Sequence, residues 1–144
     1  MKKHKAFTVN FEKIVFDITT KILIANEKNI SKEFTAIWDT GAQGSVITKK
    51  VAKILKLTHI GWTTVRGVTG EARAKIYFVD FILPSKVQIQ TEVTSCDSLG
   101  SGDALIGMDI ITLGDFSISN YKKKTVFSFR IPSVRKIDFI KGCE

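Results

Sequence analysis

One triplet in this chain has the residue types to present a carboxylate for chemistry: Asp39-Thr40-Gly41. The apolar residues Ala36, Ile37 and Trp38 run up to it as the end of a strand, and Gly41 permits a tight turn directly after it. A carboxyl group held at such a turn can take or give a proton. Acid-base work by carboxyls alone needs two of them, one ionised to take a proton and one protonated to give one. An isolated triplet of this kind is also an ordinary Asx turn. Its surroundings argue for more: Ala42 follows, and far downstream a second apolar run, Leu105 and Ile106, is closed by Gly107 ahead of a short helix.

Other chemistries find little support. His4 and His59 are the only histidines, and neither has a serine or cysteine in a nucleophile setting nearby. The two cysteines, Cys96 and Cys143, are far apart, which suggests neither a zinc spacing nor a disulfide framework; free thiols in a reducing compartment are the expectation. No glycine-rich loop carries the lysine of a phosphate-binding loop, and no paired-ligand spacing suggests a metal. Neither cofactor nor metal is expected.

The elements that must hold Asp39 in place read mostly as strands. Short β-branched or aromatic runs at Ile14 to Ile18, Lys21 to Ala25 and Phe34 to Trp38 suggest a meander. Ser45 to Ile47 continues in extended form, and Thr48 is placed to cap a helix through Leu55. Trp62 to Val65 and Ala72 to Leu83 flank a glycine-bracketed tip, Gly67-Val68-Thr69-Gly70, and so form a hairpin. Val87 to Val93 alternates as a half-buried strand, and Ser95 to Asp103 reads as a polar loop. After Ala104 to Ile106, Asp109 is expected to cap a helix that runs through Leu113 and ends at Gly114. Phe116 to Ser119 and Thr125 to Ile131 make a terminal hairpin, and a basic tail, 132–144, follows a core of about 14–131. One domain over 1–144 is expected.

Taken in order, these features resemble the retropepsin-like aspartic proteases: Ala36-Ile37-Trp38, then Asp39 to Ala42, then the hairpin tip Gly67 to Gly70, then Leu105-Ile106-Gly107 and a short helix from Asp109. The resemblance covers roughly Thr35 to Phe116. It implies an all-β fold, a closed antiparallel barrel or sandwich with one or two short helices, serving as one protomer of a homodimer. It implies Asp39 as the catalytic carboxylate, Thr40 as the residue bonding across the dimer axis, and Gly41 as the point where substrate backbone approaches. The chain has one such loop, since Asp97-Ser98-Leu99-Gly100 sets leucine where glycine is needed, so the second Asp39 comes from a second copy. The flap would be the hairpin at Arg66, Gly67, Val68, Thr69 and Gly70. With Ala42, Val46, Leu105, Ile106 and Gly107 it would contact an extended peptide or protein substrate by strand addition. Viral members often carry an acidic residue where this chain has Gln43 and an arginine where it has Met108; both differ together, as a lost ion pair would.

Composition fits that reading. The chain of 144 residues is 44% hydrophobic and 25% charged, ordinary for a globular domain. Glu12, Lys13 and Asp17 interrupt any apolar run after the basic start, and charges recur too often for a membrane span, so a cytoplasmic protein without membrane contact is expected. The net charge of +8 raises nucleic-acid binding, but the basic residues come in short groups without interleaved stacking aromatics, and no nucleic-acid partner is expected. The rival reading is a retropepsin-fold module that dimerises or binds peptide without hydrolysis. The intact Asp39-Thr40-Gly41 counts against it, because a pure binding module has no need of paired carboxyls.

Overall fold

Alternation of apolar and polar side chains sets the register of the two strands that lead to Asp39. Strand β2 (Ile18–Ala25) buries Ile18, Thr20, Ile22 and Ile24 on one face, and β3 (Ser31–Trp38) buries Phe34, Ala36 and Trp38. The structure is a computed structural model that describes residues 5–142. His4 and Cys143, with Lys2, Lys3 and Glu144, lie outside the described residues.

The remaining elements are β1 (Lys5–Asn10), β4 (Val46–Thr48), α1 (Lys49–Ile54), β5 (Gly61–Gly67), β6 (Gly70–Ile82), β7 (Gln88–Cys96), β8 (Ala104–Ile106), α2 (Met108–Ile111), β9 (Asp115–Ser119) and β10 (Val126–Ile131). A seven-stranded sheet runs β2-β3-β8-β4-β7-β6-β5, and an additional β2–β6 pairing closes it into a barrel, leaving β5 as the outer partner of β6. All its pairings are antiparallel except β3 with β8 and β4 with β7. This is the expected all-β fold with two short helices.

A second sheet, β1-β10-β9, packs on the barrel through Trp38. Its indole meets Phe7, Phe116, Phe127 and Phe129 with ring centroids between 4.8 and 6.2 Å. Trp38 Nε1 also donates to Thr20 Oγ1 at 2.8 Å. Burying an aromatic of this size contributes about 3 kcal/mol against ~1 kcal/mol for the hydrogen bond, so packing dominates in fixing the residue before Asp39.

Three local expectations are corrected. The strand expected over Ile14 to Ile18 is absent: the first barrel strand begins only at Ile18, and the backbone before it is satisfied by Thr125 instead of a ladder. Phe11 N–H donates to the Thr125 carbonyl at 2.9 Å, Val15 N–H donates to Thr125 Oγ1 at 3.1 Å, and Thr125 N–H donates to the Lys13 carbonyl at 3.2 Å. Lys5–Asn10, which falls before the expected core of about 14–131, is a strand in full register with β10. The second helix starts one residue before Asp109 and stops at Ile111, so Asp109 sits inside its first turn and Gly107 holds the cap position. Thr48 does cap the first helix, accepting from Val51 N–H at 3.4 Å.

The segment after β10 is pinned by one carboxylate. Asp115 accepts from Ser133 Oγ at 2.5 Å, Val134 N–H at 2.9 Å and Arg130 Nε at 2.6 Å, and these bonds, Ser133 foremost, hold its pKa down from 3.8 to about 2. A depressed carboxyl contributes stability that is complete above its unfolded value and is lost as pH falls through about 2. Asp115→Asn should therefore melt a few degrees below wild type at neutral pH, with the two curves converging near pH 2. A gap unchanged across that acid range in thermal scans would contradict this assignment.

Candidate active site

The Asp39 turn is fastened to β8 and α2 by its backbone. Asp39 N–H donates to the Ile106 carbonyl at 2.9 Å, which carries the β3–β8 pairing to its last residue. Gly41 N–H donates to Asp39 Oδ1 at 2.8 Å and fixes the rotamer of the carboxylate. A Cβ on Gly41 would stand 3.1 Å from that same oxygen, so the turn holds its carboxylate close over the glycine. From the other side, Met108 N–H donates to the Ala42 carbonyl at 2.8 Å and Asp109 N–H to the Gln43 carbonyl at 3.0 Å.

Side chains complete the clamp in a way the sequence did not announce. Asp109 accepts from the Ser45 amide at 3.0 Å and from Ser45 Oγ at 2.8 Å, while Ser45 Oγ accepts from Gly107 N–H at 3.1 Å. The carboxylate expected to cap a helix thus ties the segment after the Asp39 turn to the helix after Gly107. Gln43 and Met108 leave no ion pair between these two segments, and Ser45 with Asp109 supplies the tie on neighbouring positions. Gly107 is the point of closest approach: a Cβ there would meet the Gly44 carbonyl oxygen at 2.8 Å and that of Ala42 at 2.9 Å. Gly107→Ala should therefore cost about 1–3 kcal/mol of stability and displace the Asp39 turn, lowering any activity out of proportion to the loss of folded protein. Denaturant titration beside a rate measurement checks both; a stable, fully active variant would contradict the packing account.

The expected hairpin is present as β5 and β6, in register from Gly61↔Ile76 to Gly67↔Gly70, with Val68 and Thr69 at the turn and Gly70 at φ +125°. Val68 is fully exposed at the tip, and Arg66 pairs across the hairpin with Glu71 at 2.6 Å. Beneath the hairpin lies a cavity of about 920 Å³ whose wall includes Val46, Leu105, Gly67, Thr69 and Gly70. Val46 and Leu105 are direct partners of the β4–β8 pairing, Leu105 one strand and Val46 two strands away from β3, which ends before Asp39.

The structure therefore gathers five of the substrate-contact candidates at one cavity and sets the others apart. Ile106 and Gly107 are buried and act behind the site, Ala42 supports it through its carbonyl, and Arg66 and Val68 face outward. Thr40 and Gly41 are exposed and Asp39 is half-buried, so the turn presents its carboxylate on an open surface of the single chain. Cys96 also lines the cavity, its thiol pushed up from the ordinary value by burial and by Asp97 beside it. Among the described residues no three His, Cys, Asp or Glu side chains gather as metal ligands, and no helix is long and apolar enough to cross a membrane.

Comparison with known proteins covers this same stretch. A family model described as aspartyl protease matches residues 23–110, well over half of the chain, from β2 to α2. Among solved structures, a retropepsin-like aspartic protease from Rickettsia conorii is similar at a TM-score of 0.56 and 16% identity, over 90% of this chain and 96% of that one. The EIAV protease complexed with the inhibitor HBY-793 is similar at a TM-score of 0.52 and 24% identity, over 66% of this chain and 85% of that one. At these identities the likeness to the two structures is one of fold. No curated protein sequence matches the chain.

Proposed function

The chain belongs to the aspartyl protease family, and from that premise we propose that it is an aspartic endopeptidase whose site forms when two copies bring their Asp39 turns together. The observation that carries this reading is the Asp39 carboxylate itself. It is held by Gly41 N–H, its turn is clamped through Ile106 and Asp109, and it stands half-buried at the end of β3, next to β8, whose Leu105 lines the cavity under the hairpin; Asp39 itself does not line that cavity. One bond reaches the carboxylate and several more hold the backbone of the turn that carries it, which is more order than a solvated aspartate on a surface turn needs.

In a two-fold dimer, residues near the axis meet their own copies, so Asp39 would face Asp39 and Thr40 would face its counterpart turn. Two carboxyls that close share one proton, because both cannot ionise cheaply, and they titrate as a pair. The ionised member takes a proton from a water molecule as the water oxygen bonds to the peptide carbonyl carbon. The protonated member gives its proton to the carbonyl oxygen. Collapse of the resulting tetrahedral diol breaks the C–N bond: the protonated member gives its proton to the leaving nitrogen, the ionised member takes one from a diol hydroxyl as that oxygen becomes the carbonyl of the new carboxylic acid, and the dyad again holds one proton.

Substrate would lie extended under the hairpin, its backbone bonding β6 as an added strand and its apolar side chains against Val46 and Leu105. We place the reaction in the cytoplasm, where a free, half-buried thiol such as Cys96 persists unpaired. The direct test incubates the purified protein with a diverse peptide pool across acidic to neutral pH and identifies new termini by mass spectrometry. Cleavage clustered at apolar residues is expected; a pool left intact at micromolar protein would overturn the assignment.

A further inference from the structure

The cavity under the hairpin carries an unbalanced charge. Lys49, Lys53, Lys56, Arg73 and Lys75 all line it, and its one carboxylate, Asp97, is already bonded to Lys49 at 2.6 Å. Among the described residues Lys53, Lys56, Arg73 and Lys75 make no ion pair, so four cations face the cavity without a counter-charge. Two of them are also held in place. Arg73 sits 4.9 Å from the centroid of the Trp62 ring and Lys75 5.5 Å from it, since Lys75 is the register partner of Trp62 and Arg73 lies two residues along the same face of β6. A guanidinium resting on an aromatic face keeps its N–H edge free to bind a carboxylate.

Resting on the reading of this cavity as the seat of an extended peptide, we propose that the groove selects acidic peptides: segments with apolar residues at the scissile bond and Glu or Asp side chains on the flank that passes the hairpin toward α1. Val46 and Leu105 would take the central side chains; they share a face of the sheet with Thr94 and Ile76, so Arg73 and Lys75, which alternate with Ile76 on β6, stand on its other face and would take carboxylates on that flank alone. Cations in a recess with low-dielectric walls focus their potential on whatever enters it. A nucleic-acid strand fits less well, because a base needs an open aromatic face and the Trp62 ring is attended by Arg73 and Lys75.

The test uses the full chain carrying Asp39→Asn and three fluorescein-labelled peptides that share one apolar centre flanked by Glu, Gln or Lys. Fluorescence anisotropy should show the Glu peptide binding about tenfold tighter than the Gln peptide at low salt, with the gap closing as salt rises. The double variant Lys53→Glu and Arg73→Glu should reverse the order in favour of the Lys peptide. Equal affinity for Glu and Gln peptides, or no binding of the Glu peptide by protein with a wild-type circular dichroism spectrum, overturns the proposal. Displacement of the Glu peptide by a lower concentration of single-stranded oligonucleotide overturns it too. The underlying protease reading fails separately: acidic preference in binding with no cleavage by wild type removes the hydrolysis and keeps the acidic groove, whereas equal cleavage of Glu and Gln peptides does the reverse.

Discussion

Asp39→Asn is expected to lower kcat/KM for any cleaved peptide by ~10³-fold or more, while the protein melts within a few degrees of wild type. The substitution removes the one group that can be ionised and protonated in turn, and in a symmetric dimer it removes it twice. It changes little else. Asparagine keeps an oxygen at the position of Oδ1, so the Gly41 N–H retains its acceptor, and the backbone bonds of the turn to Ile106 and Met108 do not involve the side chain. A parallel Asp109→Ala makes the contrast: it leaves the Ser45 amide and hydroxyl without their acceptor and should act mainly through stability, at a cost of about 1–3 kcal/mol. Asp39→Asn protein with activity within a few fold of wild type would end the protease assignment and leave the peptide-binding module as the reading of this fold.

The parts of this fold that were legible in sequence are those where one segment shows its own pattern. Asp39 stood out because an apolar strand stops at it and a glycine follows it, and the hairpin stood out because Gly67 and Gly70 bracket its tip. Periodicity reports which face of a segment is apolar. It does not say which segment will cover that face. So β1 was missed: only Phe7 and Val9 are partly buried there, and the reason they are is β10, more than a hundred residues away. Ser45 and Asp109 were missed as a pair for the same reason, since each looks like a turn or cap residue until the fold sets them 2.8 Å apart. The opposite error, a strand over Ile14 to Ile18, arose because buried Thr125 satisfies that backbone with its hydroxyl and main chain, which no local pattern could foretell. The cations of the groove come from α1, the turn after it and β6, and only the hairpin folding over the helix places them around one cavity.

A site divided between two chains makes a second large effect, which appears on mixing and not on mutation alone. Wild-type protein combined with a ninefold excess of Asp39→Asn protein, at constant total concentration and after time for subunits to exchange, should lose about nine-tenths of its activity per wild-type chain. Random pairing leaves roughly a tenth of wild-type chains with a wild-type partner, and every mixed dimer holds one carboxyl where the reaction needs two. The variant competes as a partner because its turn and its clamp to Ile106 and Asp109 do not depend on the group removed. Dilution of wild type alone should run in parallel, with specific activity falling about tenfold per tenfold dilution below the dissociation constant of the dimer. Thr40→Ala would move that constant upward if Thr40 bonds the opposing turn, and mixing before and after sedimentation analysis separates weaker pairing from poorer chemistry. An enzyme that built its site within one chain would keep its full activity per wild-type chain in the mixture and on dilution, and that result would rule out the shared pair of Asp39 carboxyls.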